Sequence, residues 1–228
     1  MSPRGESINY VNCHCQEIPE NGADVRHFDF LHTSVFDWAR GFIKFEWLMK
    51  SQRAAEDNLL DQMQHKQPFF NDFKMRMLRK YITEENKQYL NVIYLDCYLR
   101  VFGMRFFVFN LTGFQCGPAL VYLFLKFRYF ESAFCQAVTP MRRFKLKVSH
   151  KIYASHFLPY WLTSYFLYGE VKQLFSDMNI WNNKVFGARL SYNMKTETDR
   201  NLLSWRNWFA QFYEGCYEME KEKTKLDW

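Results

Sequence analysis

The chain has 228 residues, a net charge of +6, 20% aromatic and 24% charged residues, which suits one core, or a membrane hairpin with flanking helices, and argues against two soluble domains. The 14 Tyr and 7 Trp favour an interfacial or densely packed environment, because each ring buries its body and keeps a polar edge wet. Gly-rich nucleotide loops, serine nucleophile elbows, HExxH and EF-hand patterns are absent, which excludes the enzyme classes that such motifs mark.

Residues 1–33 read as an extended docking arm: Pro3, Pro19 and Asn21-Gly22 interrupt any sustained period. The acids Glu6, Glu17, Glu20 and Asp24, with no apolar run, are expected of neither a secretory signal nor an Arg-rich presequence. Cys13-His14-Cys15 is the densest ligand-like cluster, and His27 or His32 could complete a zinc set of four. Free thiols on the arm are the preferred reading, so no metal is assigned. Residues 34–105 read as amphipathic helices, beginning with Val35, Trp38, Ala39, Phe42, Ile43 and Met49 at helical spacing. A polar stretch over 51–66, a helix from Asn71 to Tyr81 and an apolar helix from about Lys87 through Leu90, Ile93, Leu95, Tyr98 and Val101 follow.

Residues 106–125 carry no charge and are bracketed by Arg100 and Arg105 before and Lys126 and Arg128 after. About 20 apolar residues of helix cross a bilayer, so the run is expected to be a transmembrane helix. Asn110, Gly113, Gln115 and Gly117 would form its intramembrane helix contact, since small residues allow close approach and amides bond between helices. Residues 126–151 hold seven basic groups against Glu131 alone, a basic loop expected on the matrix or cytoplasmic side. Its Lys126, Arg128, Arg142, Arg143, Lys145 and Lys147 are candidates for holding the phosphates of anionic lipid such as cardiolipin. A nucleic-acid partner is not expected, because basic groups would then spread along a folded face. Residues 152–169, uncharged but rich in Tyr, Ser and Thr, are a second membrane or interfacial helix, and 170–228 a soluble helical tail with an aromatic stripe at Leu202, Trp205, Trp208, Phe209 and Phe212.

The fold class expected is therefore mainly α, a membrane protein with one or two transmembrane helices, 106–125 and 152–169. His27 and His32 stand five apart and His150 and His156 six apart, neither being the spacing that sets two ligands on one helical face. No acid or base lies within 106–125, which argues against proton conduction. The six cysteines, without CxxC pairs, read as reduced. With short spans, abundant aromatics, an arm and amphipathic flanks, the chain resembles supernumerary membrane subunits of mitochondrial energy-converting complexes. That resemblance implies a non-catalytic assembly subunit of an ATP synthase or respiratory chain in the inner membrane. It further implies partners among other subunits and anionic lipid, no small-molecule substrate, and no cofactor beyond bound phospholipid or cardiolipin. Two alternatives are a small membrane enzyme or transporter with a site near His156, Cys116 and Asn110, and a basic helical component of a ribonucleoprotein such as the mitochondrial ribosome.

Overall fold

The computed structural model describes residues 1–33, 42–54, 83, 85–184 and 195–213. The expected helices over 55–66 and 71–81, and the start of that over 34–49, lie outside the described residues. Seven strands, β1 Ser2–Val11, β2 Ile43–Ala54, β3 Leu90–Val101, β4 Met104–Cys116, β5 Leu120–Phe127, β6 Glu131–Arg142 and β7 Lys145–Ala154, form one antiparallel sheet in the order β1-β7-β6-β5-β4-β3-β2. Among the described residues four α-helices accompany it: α1 Glu17–Glu20, α2 Val25–Leu31, α3 Tyr160–Trp181 and α4 Glu197–Ala210. Among the described residues the architecture is mostly antiparallel sheet with these helices against one face, not a mainly α membrane protein.

The uncharged run over 106–125 is two strands. Gly117 turns the chain between β4 and β5 at φ +65, a region open to glycine. The run carries no obvious alternation because both of its faces are covered. Phe109, Gly113 and Gln115 face the helices, while Phe114 and Phe124 pack with Leu90, Val92 and Ala133 on the opposite face. Central strands buried on both sides read as continuous apolar runs, which periodicity alone does not separate from a buried helix.

The proposed basic loop is the hairpin of β6 and β7. β7 reads Lys-Leu-Lys-Val-Ser-His-Lys-Ile, and its alternate residues Leu146, Val148, His150 and Ile152 are all buried. Lys145, Lys147 and Lys151 are the outward residues of that amphipathic strand. Lys126 and Arg128 stand at the β5–β6 turn, Arg142 and Arg143 at the β6–β7 turn. Those turns are separated by the length of β6, about 40 Å at 3.3 Å per residue, so the cations do not form one patch.

Residues 152–169 divide between the end of β7 and the start of α3, whose first residue follows Pro159. Thr163, Phe166, Glu170, Leu174, Asp177 and Trp181 recur every three or four residues along α3 and turn toward the protein. Among the described residues no helix is long and apolar enough to cross a membrane. The inner-membrane location with a matrix-facing basic loop therefore loses the two segments on which it rested. Among the expected helices of 34–105, β2 and β3 replace those over 43–54 and 90–101, paired with each other from Ile43 opposite Val101.

Helix α4 closes one end of the sheet. Thr196 caps it by accepting from the Asp199 N–H at 3.3 Å. Trp205 Nε1 donates to Gln115 Oε1 at 2.8 Å, Trp208 Nε1 donates to the Gln88 carbonyl at 2.9 Å, and Arg206 pairs with Glu20 of α1.

Candidate active site

Asp24 caps α2 by accepting from the Arg26 N–H at 3.1 Å, and its backbone carbonyl accepts from His27 Nδ1. That bond places the proton on Nδ1 and leaves Nε2 as the lone-pair atom. The helix stops at His32, whose φ of −103 and ψ of 37 leave helical geometry. On a continuous helix two residues five apart would diverge by about 140°. The break instead brings His32 Nε2 to 3.1 Å from His27 Nε2.

Asp177, near the end of α3, supplies a carboxylate from across the protein. Its Oδ1 lies 3.3 Å from His32 Nε2, and one ligand atom from each of His27, His32 and Asp177 falls within 4.8 Å of the others. Asp177 Oδ1, at this convergence, is buried without a hydrogen bond. An unpaired buried polar atom costs about 1–3 kcal/mol, so this convergence of lone pairs fits a cation at its centre. Burial, foremost, lowers the pKa of His27 and favours the neutral imidazole that ligates metal. Trp47 Nε1 donates to the His32 carbonyl at 3.1 Å, and the Phe28 ring packs 5.2 Å from both Trp47 and His32. The aromatic wall holds the group in place.

The three residues line a cavity of about 460 Å³ between the sheet and helices α2 and α3. Phe45, Leu95, Leu111, Leu123, Leu125 and Phe166 make it predominantly apolar. A cavity of this size suits a drug-sized ligand. Its polar exceptions include Glu170, two helical turns before Asp177, and His150 of β7, with Oε1 and Nε2 3.6 Å apart. Burial pushes the Glu170 carboxyl up to about 7 and the His150 imidazole down to about 4. Near neutral pH the pair is a weakly acidic carboxyl beside a neutral imidazole rather than a strong ion pair.

The structure disperses the other residues singled out from sequence. Gly113 and Gln115 line the cavity on β4, Asn110 Nδ2 donates to Asp96 Oδ1 at 2.5 Å, and Gly117 sits in a turn. They belong to strands, so they form no intramembrane helix contact. Cys13 is buried among Val11, Ile18 and Val148, its thiol pushed up to about 12 by burial. The Cys13-His14-Cys15 cluster does not join His27 and His32. His156 contributes its carbonyl to Arg4 at 2.7 Å, and Cys116 packs on the face of the sheet away from the cavity. Asp177 and Glu170 lie in 170–228, the segment expected to be a soluble helical tail without a site. Their signal was an acid recurring on the same stripe as Phe166, Leu174 and Trp181.

The sequence profile of the 3-ketosteroid 9α-hydroxylase C-terminal domain matches residues 4–213. The chain belongs to this family. Such domains are Rieske-type oxygenase C-terminal domains. Cholesterol 7-desaturase nvd of Drosophila melanogaster is 30% identical over 234 residues, covering 98% of this chain and 47% of that protein. The cholesterol 7-desaturase nvd of Xenopus laevis is 30% identical over 228 residues, covering 98% and 45%. The chain spans about half the length of the curated relatives it matches. Dicamba monooxygenase bound to 3,6-dichlorosalicylic acid superposes with a TM-score of 0.56 at 9% identity, covering 93% of this chain and 59% of that one. The Pseudomonas putida CBB5 NdmA QL mutant with theobromine gives 0.51 at 11% identity, covering 94% and 52%. At such identity these structures establish the fold alone.

Membership in the 3-ketosteroid 9α-hydroxylase C-terminal domain family replaces the resemblance to supernumerary subunits of an ATP synthase or respiratory chain. The relatives are named as enzymes acting on small molecules, which overturns the expectation of a non-enzymatic assembly subunit with no small-molecule substrate. The transporter and ribonucleoprotein alternatives fall with it.

Proposed function

We propose that this chain is the catalytic portion of a non-haem iron oxidoreductase that oxidises an aliphatic C–H bond of a sterol or related polycyclic lipid. The observation that carries the reading is the set His27, His32 and Asp177 at the wall of a large apolar cavity. Two imidazoles and one carboxylate are the donor set of non-haem iron oxygenases, which leave coordination positions open. Iron held there would supply dioxygen activation, with electrons delivered from a redox centre outside these three side chains.

The chain's own residues supply the rest. The Asp24 carbonyl fixes the His27 tautomer, and Trp47 holds the His32 backbone. The apolar walls exclude water and surround a hydrocarbon skeleton, whose burial is favourable by about 25 cal/mol per Å². Cholesterol, named in the relatives, is the first substrate to try.

Anaerobic titration of the chain with Fe(II) tests the site. One equivalent is expected to bind, with saturable cholesterol binding alongside. Retention of full iron affinity after His32→Ala and Asp177→Ala would remove the metal centre from the proposal.

A further inference from the structure

The cavity contains a second polar site that the three metal-type ligands do not use. His150 is 1% exposed, and its Nδ1 is buried without a hydrogen bond. It reaches this position because β7 alternates, with an imidazole where Leu146, Val148 and Ile152 set the inward register. Gln136 stands directly opposite His150 on β6, and Gln173 lies one turn beyond Glu170 on α3; both also line the cavity. Glu170 approaches from the helix side, so strand and helix converge on one point. Nothing hydrophobic requires a carboxyl and an imidazole among Leu123, Leu125 and Phe166.

We infer that His150 and Glu170 form a hydroxyl-binding subsite that anchors one end of an otherwise apolar ligand, opposite the end that meets His27, His32 and Asp177. The inference rests on the sterol reading above. The 3.6 Å between His150 Nε2 and Glu170 Oε1 exceeds a good hydrogen bond. An oxygen placed about 2.8 Å from each atom fits the gap at hydrogen-bonding distance. A neutral imidazole and a carboxyl between them offer a donor and an acceptor. A hydroxyl uses both at once, a ketone only the donor, and a hydrocarbon neither. Glu170 and Asp177 are seven residues apart on one helix, about 10 Å along its axis. A fused-ring skeleton lying along α3 would span from one site to the other, and the anchored hydroxyl would select which carbon lies at the metal.

Equilibrium binding to the 228-residue chain decides this, using cholesterol, the matching hydrocarbon cholest-5-ene and the 3-ketone cholest-5-en-3-one. Cholesterol is expected to bind about 10- to 100-fold more tightly than the hydrocarbon, the range for a buried hydrogen-bonding group left unpaired, with the ketone between. His150→Phe and Glu170→Gln should each shrink that preference while hydrocarbon affinity stays within about threefold. Equal affinity for alcohol and hydrocarbon in the unmodified chain overturns the subsite, and needs no variant to fold. A ketone bound more tightly than the alcohol overturns the hydroxyl assignment. Failure of all three ligands to bind overturns the sterol reading itself, and the subsite with it.

Discussion

Helix α3 carries two inward acids on one stripe, Glu170 and Asp177, and their surroundings give them different chemistry. Asp177 meets two imidazoles whose Nε2 atoms lie 3.1 Å apart, so three donors converge with little between them. Glu170 meets one imidazole at 3.6 Å beside apolar side chains, and burial foremost raises its pKa, with the Asp177 charge adding to the rise and His32 opposing it. The contrast teaches that an acid on a helix's buried stripe takes its role from the element facing it. Helix α2, broken at His32, makes one acid a ligand; the continuous strand β7 makes the other a hydrogen-bonding group.

The largest expected effect breaks the comparison on the metal side. Asp177→Ala should weaken Fe(II) binding by more than about 100-fold, beyond the range for losing an outer partner of a ligand, whereas Glu170→Gln should leave iron affinity within about threefold. Isothermal titration under anaerobic conditions reads both, and equal losses in the two variants would erase the distinction between the acids.

A somewhat smaller effect concerns pH. The folded protein holds the Glu170 proton up to about pH 7, while an unfolded carboxyl releases it near 4.5. The native state therefore binds the extra proton in that window, and this contribution to stability is lost as pH rises from 4.5 through 7. Glu170→Gln removes the loss, so the variant should gain on the parent protein by up to about 3 kcal/mol above pH 7 and by little below pH 4.5. His150 acts in the opposite direction: its folded value of about 4 lies below the ordinary 6.5, so its contribution is lost as pH falls from 6.5 through 4. Urea unfolding at pH 5 and pH 8 measures the difference. Parallel curves for variant and parent at both values would show that Glu170 is not buried as a neutral acid.

The smallest effect sharpens the metal side. Trp47→Phe deletes the donor to the His32 carbonyl while keeping an aromatic ring near Phe28 and Phe109. Iron affinity should fall about 10-fold through looser orientation of His32, with no change in the alcohol-to-hydrocarbon preference. A loss of that preference would mean that the two sites are mechanically one.

Parts of this molecule were legible without coordinates. The stripe of Leu202, Trp205, Trp208 and Phe209 reads at helical spacing, and α4 runs over Glu197–Ala210. The turn residues Gly117 and Pro118 interrupt the apolar run where β4 passes into β5. β4 and β5 hide their alternation because Phe114 and Phe124 are buried on one face and Phe109 on the other. The spacing of His27 and His32 argued against a shared ligand only on the assumption of an unbroken helix. On β3, Asp96 accepts from Asn110 and Arg100 pairs with Glu46, so their spacing of four marks no helical face.

By itself the sequence determined a chain rich in aromatics and the inward stripe of α4, while the alternation of β7 and the stripe of α3 lie in segments expected to be a basic loop, a membrane helix and a tail. The alternation and the stripes follow from local periods of two and 3.6 residues, which each segment carries alone. Only the tertiary structure decided that the uncharged run pairs with its neighbours as strands, and that Asp177 comes within 3.3 Å of a histidine 145 positions earlier. Strand pairing and ligand convergence are contacts between distant segments, and no local period encodes a partner. The functional site of this chain is made of such contacts.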